Sequence, residues 1–338
     1  MKGLLARTGR GGIGALTVAL LLAVFFLVLA PGSPARRALG AASASASVSK
    51  VSAPQAPVAV APAIAFVKSQ RIWKVSPDGS GLTQLTSGKV EDSTPVWSPD
   101  RSTIAFVRQG SSSKASTIYT VPASGGAAAV LYRDSISKVS FIDVTGLAYS
   151  PDGTKLAFAD VYTAKGALPV GTRLVIIDIA SGRTSVMLTK NGGFGRSIVT
   201  AWSLSWSSDG SAILIAQQGQ DDEGGGTWVY TIISGATKKI PVAEASTADW
   251  AADGQSVLLS VATQAKSSIK QTKLDGTVIR TLATGGGWHP GPASVDGARY
   301  SPDGSQVVYA KGWGTLWIMN ADGTGKHKLT AGGTPAWR

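Results

Sequence analysis

The side chains that could do chemistry in this 338-residue chain are few. There are two histidines, His289 and His327, and no cysteine. Disulfides, a lipidated cysteine and thiolate metal sites are therefore excluded. No Gly-x-Ser-x-Gly elbow, Walker A loop, His-Glu-x-x-His pair or EF-hand loop occurs. Asp221-Asp222-Glu223 precedes Gly224-Gly225-Gly226, but without the spacing of a hard-cation loop it reads as a solvated acidic tip. Asp134, Asp221 and Glu223 are the loop carboxylates from which a glycosidase-like or lyase-like pair would have to be drawn. His327 lies between Lys326 and Lys328 and reads as an exposed strand residue. No catalytic residue, metal or cofactor is assigned on these grounds.

Binding chemistry is better represented. Of ten tryptophans, Trp202, Trp288 and Trp313 stand outside the repeated pattern described below. Phe194, Arg196, Arg133, Asp134 and His289 fall in the same variable stretches. Aromatic faces beside guanidinium groups suit a peptide or a sugar ring. These eight residues are the candidate ligand-binding set.

What must position them is a repeat. Trp97-Ser98-Pro99-Asp100-Arg101 introduces the apolar run Ile104-Ala105-Phe106, and Tyr149-Ser150-Pro151-Asp152-Gly153 introduces Leu156-Ala157-Phe158. Further copies begin at Trp206, Trp250 and Tyr300. Each is a strand ending in an aromatic, a turn and a buried strand; Ser-Pro-Asp-Gly fits a type I turn with Ser first and Gly fourth, while Arg101 and Ala251 stand in for these in the copies at Trp97 and Trp250. A second hairpin follows in each unit, with turns at Asp78-Gly79, Ser124-Gly125, Ser181-Gly182, Ser234-Gly235, Asp275-Gly276 and Asp322-Gly323. Four antiparallel strands per repeat predict β-propeller blades. The closing aromatics are Trp97, Tyr149, Trp206, Trp250, Tyr300 and Trp337, which predicts six blades. Ile64-Ala65-Phe66 lacks a preceding aromatic strand, and Thr334-Pro335-Ala336-Trp337 lacks a following one. The two halves complement each other, so the expected fold is all-β, a six-bladed propeller closed by the C-terminal strand joining the N-terminal blade.

The phrase aromatic-Ser-Pro-Asp-Gly followed by an apolar run resembles the repeat of TolB-like propellers, a WD-repeat-like family. The resemblance covers about residues 62–338. It implies the fold and leaves function open, because related repeats serve envelope proteins, sugar lyases and peptidase gating domains. TolB itself carries an α/β domain ahead of its propeller, where this chain has a linker. Lyases of this type use a multi-histidine metal site, and this chain has His289 and His327 only.

If the strands of a blade run A to D from the centre outward, the tight A–B and C–D turns share one face. The B–C and D–A connections share the other. Spacings between successive closing aromatics are 52, 57, 44, 50 and 37 residues. The excess falls in 133–146, 159–172, 190–203, 217–226 and 285–299, all on the B–C/D–A face. Long loops on a rigid scaffold are where ligands are gripped, so this face is the expected site.

The start of the chain addresses location. Lys2, Arg7 and Arg10 precede an uncharged apolar run from Ile13 to Ala30, ended by Pro31-Gly32. This is the order of an export signal, and the length also suits a membrane anchor. Residues 1–32 are thus read as a signal peptide or anchor, 33–61 as an Ala/Ser/Pro-rich linker, and 62–338 as the propeller. Six of the 32 basic side chains, and none of the 20 acidic ones, lie in residues 1–50. The remaining surface is only mildly basic, without a basic stripe, and no nucleic-acid partner is expected. Two functions follow. The favoured one is an exported, monomeric, non-catalytic propeller binding a protein, peptide or glycan at the cell envelope. The alternative is an envelope carbohydrate-active enzyme with loop carboxylates in the funnel.

Overall fold

The computed structural model describes residues 62–110, 115–133, 139–164, 169–191, 201–218, 225–287 and 293–337. All belong to one compact unit, Pro57–Arg338. The predicted signal or anchor, 1–32, and the linker, 33–61, lie outside the described residues. Among the described residues no helix is long and apolar enough to cross a membrane.

The strands form six four-stranded antiparallel sheets. Blade one holds β1 (Ile64–Lys68), β2 (Arg71–Val75) and β3 (Thr83–Gln84). Blade two is β4 (Asp92–Trp97), β5 (Thr103–Arg108), β6 (Thr117–Pro122) and β7 (Ala129–Arg133). Blade three is β8 (Val139–Tyr149), β9 (Lys155–Ala164), β10 (Pro169–Asp178) and β11 (Thr184–Asn191). Blade four is β12 (Ala201–Trp206), β13 (Ala212–Gln218), β14 (Gly226–Thr231) and β15 (Thr237–Ile240). Blade five is β16 (Ala245–Trp250), β17 (Ser256–Ala262), β18 (Lys266–Lys273) and β19 (Val278–Gly286). Blade six is β20 (Val295–Tyr300), β21 (Gln306–Lys311), β22 (Thr315–Asn320) and β23 (His327–Ala331). The last strand, β24 (Gly333–Trp337), does not start a seventh sheet. It is the inner strand of blade one, with Ile64 opposite Trp337 and Ala65 opposite Ala336. The six blades and their closure are as the repeats predict.

Packing follows from strand alternation. A blade's two faces each meet a neighbouring blade, so both must be apolar. Six apolar clusters result, one between each pair of neighbours. The wedge that seals the ring joins Ile64, Phe66 and Trp337 of blade one to Val308, Leu316 and Ile318 of blade six. Gly332, just before β24, is there because a Cβ would stand 2.3 Å from the Phe66 ring. Two ion pairs tie strands within blades: Arg108 holds Asp92 at 2.6 and 2.9 Å, and Arg173 holds Asp160 at 2.6 Å. Both carboxylates are fully buried.

The repeated turns explain their own sequence. Gly153 N–H donates to Ser150 C=O at 3.0 Å, closing the turn. The Asp152 carboxylate accepts from the Ser150 hydroxyl at 2.6 Å, and from the Thr154 N–H and hydroxyl at 3.0 and 2.9 Å. Asp209 and Asp303 repeat the pattern. The fourth position needs a left-handed backbone, met by Gly153, Gly210 and Gly304, and at φ 61° by Arg101. The hydroxyl of the first Ser, then the N–H and hydroxyl two residues on, hold the carboxyls of Asp152, Asp209 and Asp303 down at about 2, from an ordinary 3.8. A depressed folded-state pKa adds stability that is present above the ordinary value and lost as pH falls towards the folded one. The melting temperature should therefore drop between about pH 4 and about pH 2. Calorimetry on an Asp152→Asn, Asp209→Asn, Asp303→Asn variant should show a shallower acid limb; an unchanged limb would remove the turns as its cause.

Two expectations need correction. Stretches 133–146 and 159–172, expected as irregular loops, are largely strand, because β8 begins at Val139, β9 runs to Ala164 and β10 starts at Pro169. Their residues pair in register, for example Ile142 with Tyr162, so blade three is lengthened as a sheet. Trp73, Trp97, Trp206, Trp250, Trp317 and Trp337 occupy repeat positions, where aromatics are expected in the core; Trp97, Trp206 and Trp337 are buried, whereas Trp73, Trp250 and Trp317 are half-buried. Trp73 and Trp317 sit third from the centre of their blades, where one ring face reaches the sheet margin. A lysine covers each, Lys68 at 4.9 Å and Lys311 at 4.7 Å from the ring centroid.

Candidate functional site: the central channel and its long-loop mouth

The inner strands β24, β4, β8, β12, β16 and β20 ring a channel of about 670 Å³. Counting back from each closing aromatic, the first and third residues face this channel, as strand alternation requires. They include Ser205 and Ser203, Asp249 and Thr247, and Arg299 and Gly297. Five inner strands carry a bulge against their partner, and β12 alone keeps an unbroken register. The bulges place Thr94, Gly297 and Thr334 at φ 49°, 66° and 43°. Thr94 and Thr334 are each followed by a proline, which has no N–H to leave without a ladder partner.

Polar links run between blades across the channel wall. The Asp249 carboxylate accepts from the Ser205 hydroxyl at 2.8 Å and from the Tyr300 N–H at 3.0 Å, joining blades four, five and six. Burial and then the Asp249 carboxylate push the Tyr300 hydroxyl up to about 12. Arg299 reaches past blade five to donate to the Ser203 hydroxyl of blade four at 2.9 Å. The Ser246 hydroxyl lies against the Asp296 carboxylate. Both channel carboxylates thus already accept hydrogen bonds from a neighbouring blade. Among the described residues, the buried indole N–H groups of Trp97 and Trp337 and the hydroxyls of Thr145 and Thr247 have no hydrogen-bond partner. All four residues line the channel.

The predicted ligand-binding residues divide. Trp313 stands at the tip of the β21–β22 turn on the long-loop face, 76% exposed, and its neighbours Gly312 and Gly314 line the channel. Arg133 ends β7, exposed, with a long 3.4 Å contact to the Thr117 hydroxyl. Trp202 belongs to inner strand β12, opposite Gln217; its side chain lies outside what is described. Phe194, Arg196, Asp134, Trp288 and His289 lie outside the described residues, as do Asp221 and Glu223. Ser203, Thr247, Asp249, Asp296 and Arg299 were missed from sequence, although two-residue alternation back from each closing aromatic was a signal for most of them. Among the described residues no group of three or more His, Cys, Asp or Glu could hold a metal ion.

This geometry can be set beside known proteins. No protein-family model matches the chain. Curated relatives are the Tol-Pal system protein TolB of Anaeromyxobacter sp. (strain K) and that of Anaeromyxobacter dehalogenans (strain 2CP-1 / ATCC BAA-258). Each is 29% identical over 116 residues, 32% of this chain. The match spans only 25% of those relatives' length. Among solved structures, TolB from Acinetobacter baumannii aligns with a TM-score of 0.62 at 21% identity, over 82% of this chain and 66% of that one. A putative TolB from Agrobacterium tumefaciens gives 0.55 at 16%, over 81% and 91%. The fold is that of the TolB-like six-bladed propeller. An oligogalacturonate lyase in complex with manganese shares it, with a TM-score of 0.50 at 17% identity over 77% of this chain and 70% of that one. At such identities the likeness is one of fold, and the site must be argued from its own residues.

Proposed function

We propose that this chain is an exported, non-catalytic binding propeller of the cell envelope, acting as a monomer. It takes a segment of an envelope protein, or a peptide or glycan, at the long-loop mouth of its channel. The observation that carries this reading is the channel of about 670 Å³, lined by polar side chains such as Ser203, Thr247 and Arg299 and by Gly312 and Gly314 at the long-loop mouth. The exposed Trp313 at the rim adds an aromatic anchor. The positive-then-apolar order of residues 1–32 supports export, with 33–61 as tether or leader remnant before the propeller of 62–338. The TolB relatives' name, Tol-Pal system protein, is in keeping with an envelope setting. The enzymatic alternative needs free, convergent carboxylates. Asp249 and Asp296 instead serve links between blades, which favours the binder.

The test is capture from envelope extract with the full chain, followed by affinity measurement on alanine variants of Trp313, Trp288, Trp202, Phe194, Arg196 and Arg133. An aromatic anchor at the centre of the contact should cost about 2 kcal/mol or more, roughly thirtyfold in Kd. Normal binding by Trp313→Ala and Trp288→Ala, with loss instead on turn variants at Asp152 or Asp303, places the site on the wrong face. Full-length protein fractionating with the soluble cytoplasm would refute export.

A further inference from the structure

We infer that the seam between blades five and six holds, at its outer rim, a site for a small phosphate ester, bound by Lys311, Lys326 and the Tyr309 hydroxyl. The site is separate from the channel and does not rest on the binding reading above.

A cavity of about 260 Å³ lies between β19, the outer strand of blade five, and blade six. Thr281 and Thr284 line it from β19, and Val295, Tyr309, Lys311 and Lys326 from blade six. This is just under the usual size of a ligand pocket, about 300–1,000 Å³, so the occupant must be small. At this level β19 bulges against β18: Ala283 pairs with Ile269 and Thr281 with Lys270, and Leu282 is passed over. Leu282 and Ala283 are buried, while Thr281 and Thr284 on either side of them are exposed. The β22–β23 turn rests on the bulge, since a Cβ at Gly323 would stand 3.1 Å from the Leu282 carbonyl oxygen.

What sets this seam apart is one hydroxyl. Two residues beyond the partner of its closing aromatic, the second strand of each blade packs a side chain on the preceding blade. In blades one to five these are Phe66, Phe106, Phe158, Ile215 and Leu259, all apolar. Blade six has Tyr309 there, 2% exposed and lining the cavity. Among the described residues nothing forms a hydrogen bond with its hydroxyl. Burial pushes that hydroxyl up to about 12, so it stays protonated and can donate. A polar group so placed costs stability unless an acceptor meets it, and phenylalanine would fill the slot without that cost. Lys311 lies over the Trp317 ring at 4.7 Å, which leaves ammonium donors for an acceptor from outside. Lys326 donates to the Gly323 carbonyl and has further donors to offer. No acidic side chain lines the cavity. Asp322, in the adjoining turn, accepts from the Thr324 N–H and hydroxyl at 2.8 and 2.6 Å. Two point-like ammonium groups with neutral hydroxyls on both walls suit a tetrahedral dianion. A planar carboxylate is better matched by the fork of an arginine, and none lines this cavity.

The experiment titrates the full chain with glycerol 3-phosphate, inorganic phosphate and acetate at matched ionic strength, by calorimetry and by shift of melting temperature. Cosedimentation with phosphatidic acid vesicles is measured alongside. The variants are Tyr309→Phe, which installs the residue of blades one to three, and Lys311→Gln/Lys326→Gln; melting curves without ligand show that they fold. Wild type is expected to bind the phosphate ester with a Kd of about 1 mM or lower, and acetate about tenfold more weakly or worse. Affinity for the ester should fall about tenfold in the double glutamine variant and about fivefold in Tyr309→Phe. Vesicle binding with the same dependence on Tyr309 and the lysines makes a lipid headgroup the source of the phosphate; binding of the soluble ester alone makes it a free solute. Both results bear out the site. A melting rise of equal size in wild type and variants reflects exclusion of phosphate from the protein surface and overturns the inference. So does acetate bound as tightly as the ester, or the absence of saturable binding below about 10 mM. These outcomes leave the channel reading untouched, since capture from envelope extract tests that separately.

Discussion

Removing residues 334–338 is expected to abolish cooperative folding of the whole propeller, and Trp337→Ala alone to cost about 3–5 kcal/mol. The deletion strips the inner strand from blade one, leaves the β1 edge unpaired, and uncovers Ile64 and Phe66, both fully buried in the intact ring. Trp337 itself belongs to the wedge between blades six and one, so its loss weakens the seam that closes the ring. Urea or thermal unfolding of the purified variants measures this. Trp337→Phe offers a discriminating control. The indole N–H has no partner among the described residues, so phenylalanine, which keeps a flat apolar ring of smaller size, should cost less than truncation to alanine. A truncated protein with an unchanged melting curve would falsify ring closure as the source of stability.

Nearly as large an effect is expected from Arg108→Met. Asp92 is fully buried and Arg108 covers it, with a quarter of its own side chain exposed. The hydrogen bonds to Asp92, ahead of the burial that opposes them, raise the guanidinium above its ordinary value. Taking away the cation leaves a carboxylate in an apolar setting, at a cost of about 3 kcal/mol or more. Replacing both partners, as in Asp92→Leu/Arg108→Met, should restore most of the loss, because a buried ion pair is worth little more than well-packed apolar residues of similar volume. Equal destabilisation by the single and double variants would mean that packing around the arginine stem, and not charge, is what Arg108 supplies.

Architecture was legible because its signals are local and repeated. An aromatic, a Ser-Pro-Asp-Gly turn and an apolar run recur in fixed order, and each part has a short-range cause: the turn geometry, the carboxylate that caps it, the strand it leads into. Closure could be read from the incomplete units around Ile64 and Trp337. The channel was harder. Asp249 joins Ser205 to Tyr300, and Arg299 reaches Ser203, across 96 residues of chain in the latter case. Such contacts leave no periodic trace. One trace was available: Thr94-Pro95-Val96-Trp97 and Thr334-Pro335-Ala336-Trp337 share a Thr-Pro step, and both form an inner-strand bulge with a left-handed threonine. Lengthened blade three was misread because excess residues between repeats look the same in sequence whether they form a loop or extend a hairpin. Only their pairing across Val161 and Asp143 distinguishes the two.

The position of β24 in the chain bears on how the propeller would mature under the proposed export. Its partner β1 is the first strand of the propeller, while β24 follows every other one, so their pairing joins the most distant points of the fold. On the proposal that the chain is exported, threading through a translocon would deliver these strands in order. Blades two to six can hairpin as they emerge, since each draws its strands from one stretch of sequence. Blade one must wait, three strands wide, until β24 is through. Under the proposed export, the closed ring would form only on the side of the membrane where the journey ends, and a chain in transit would keep an open seam.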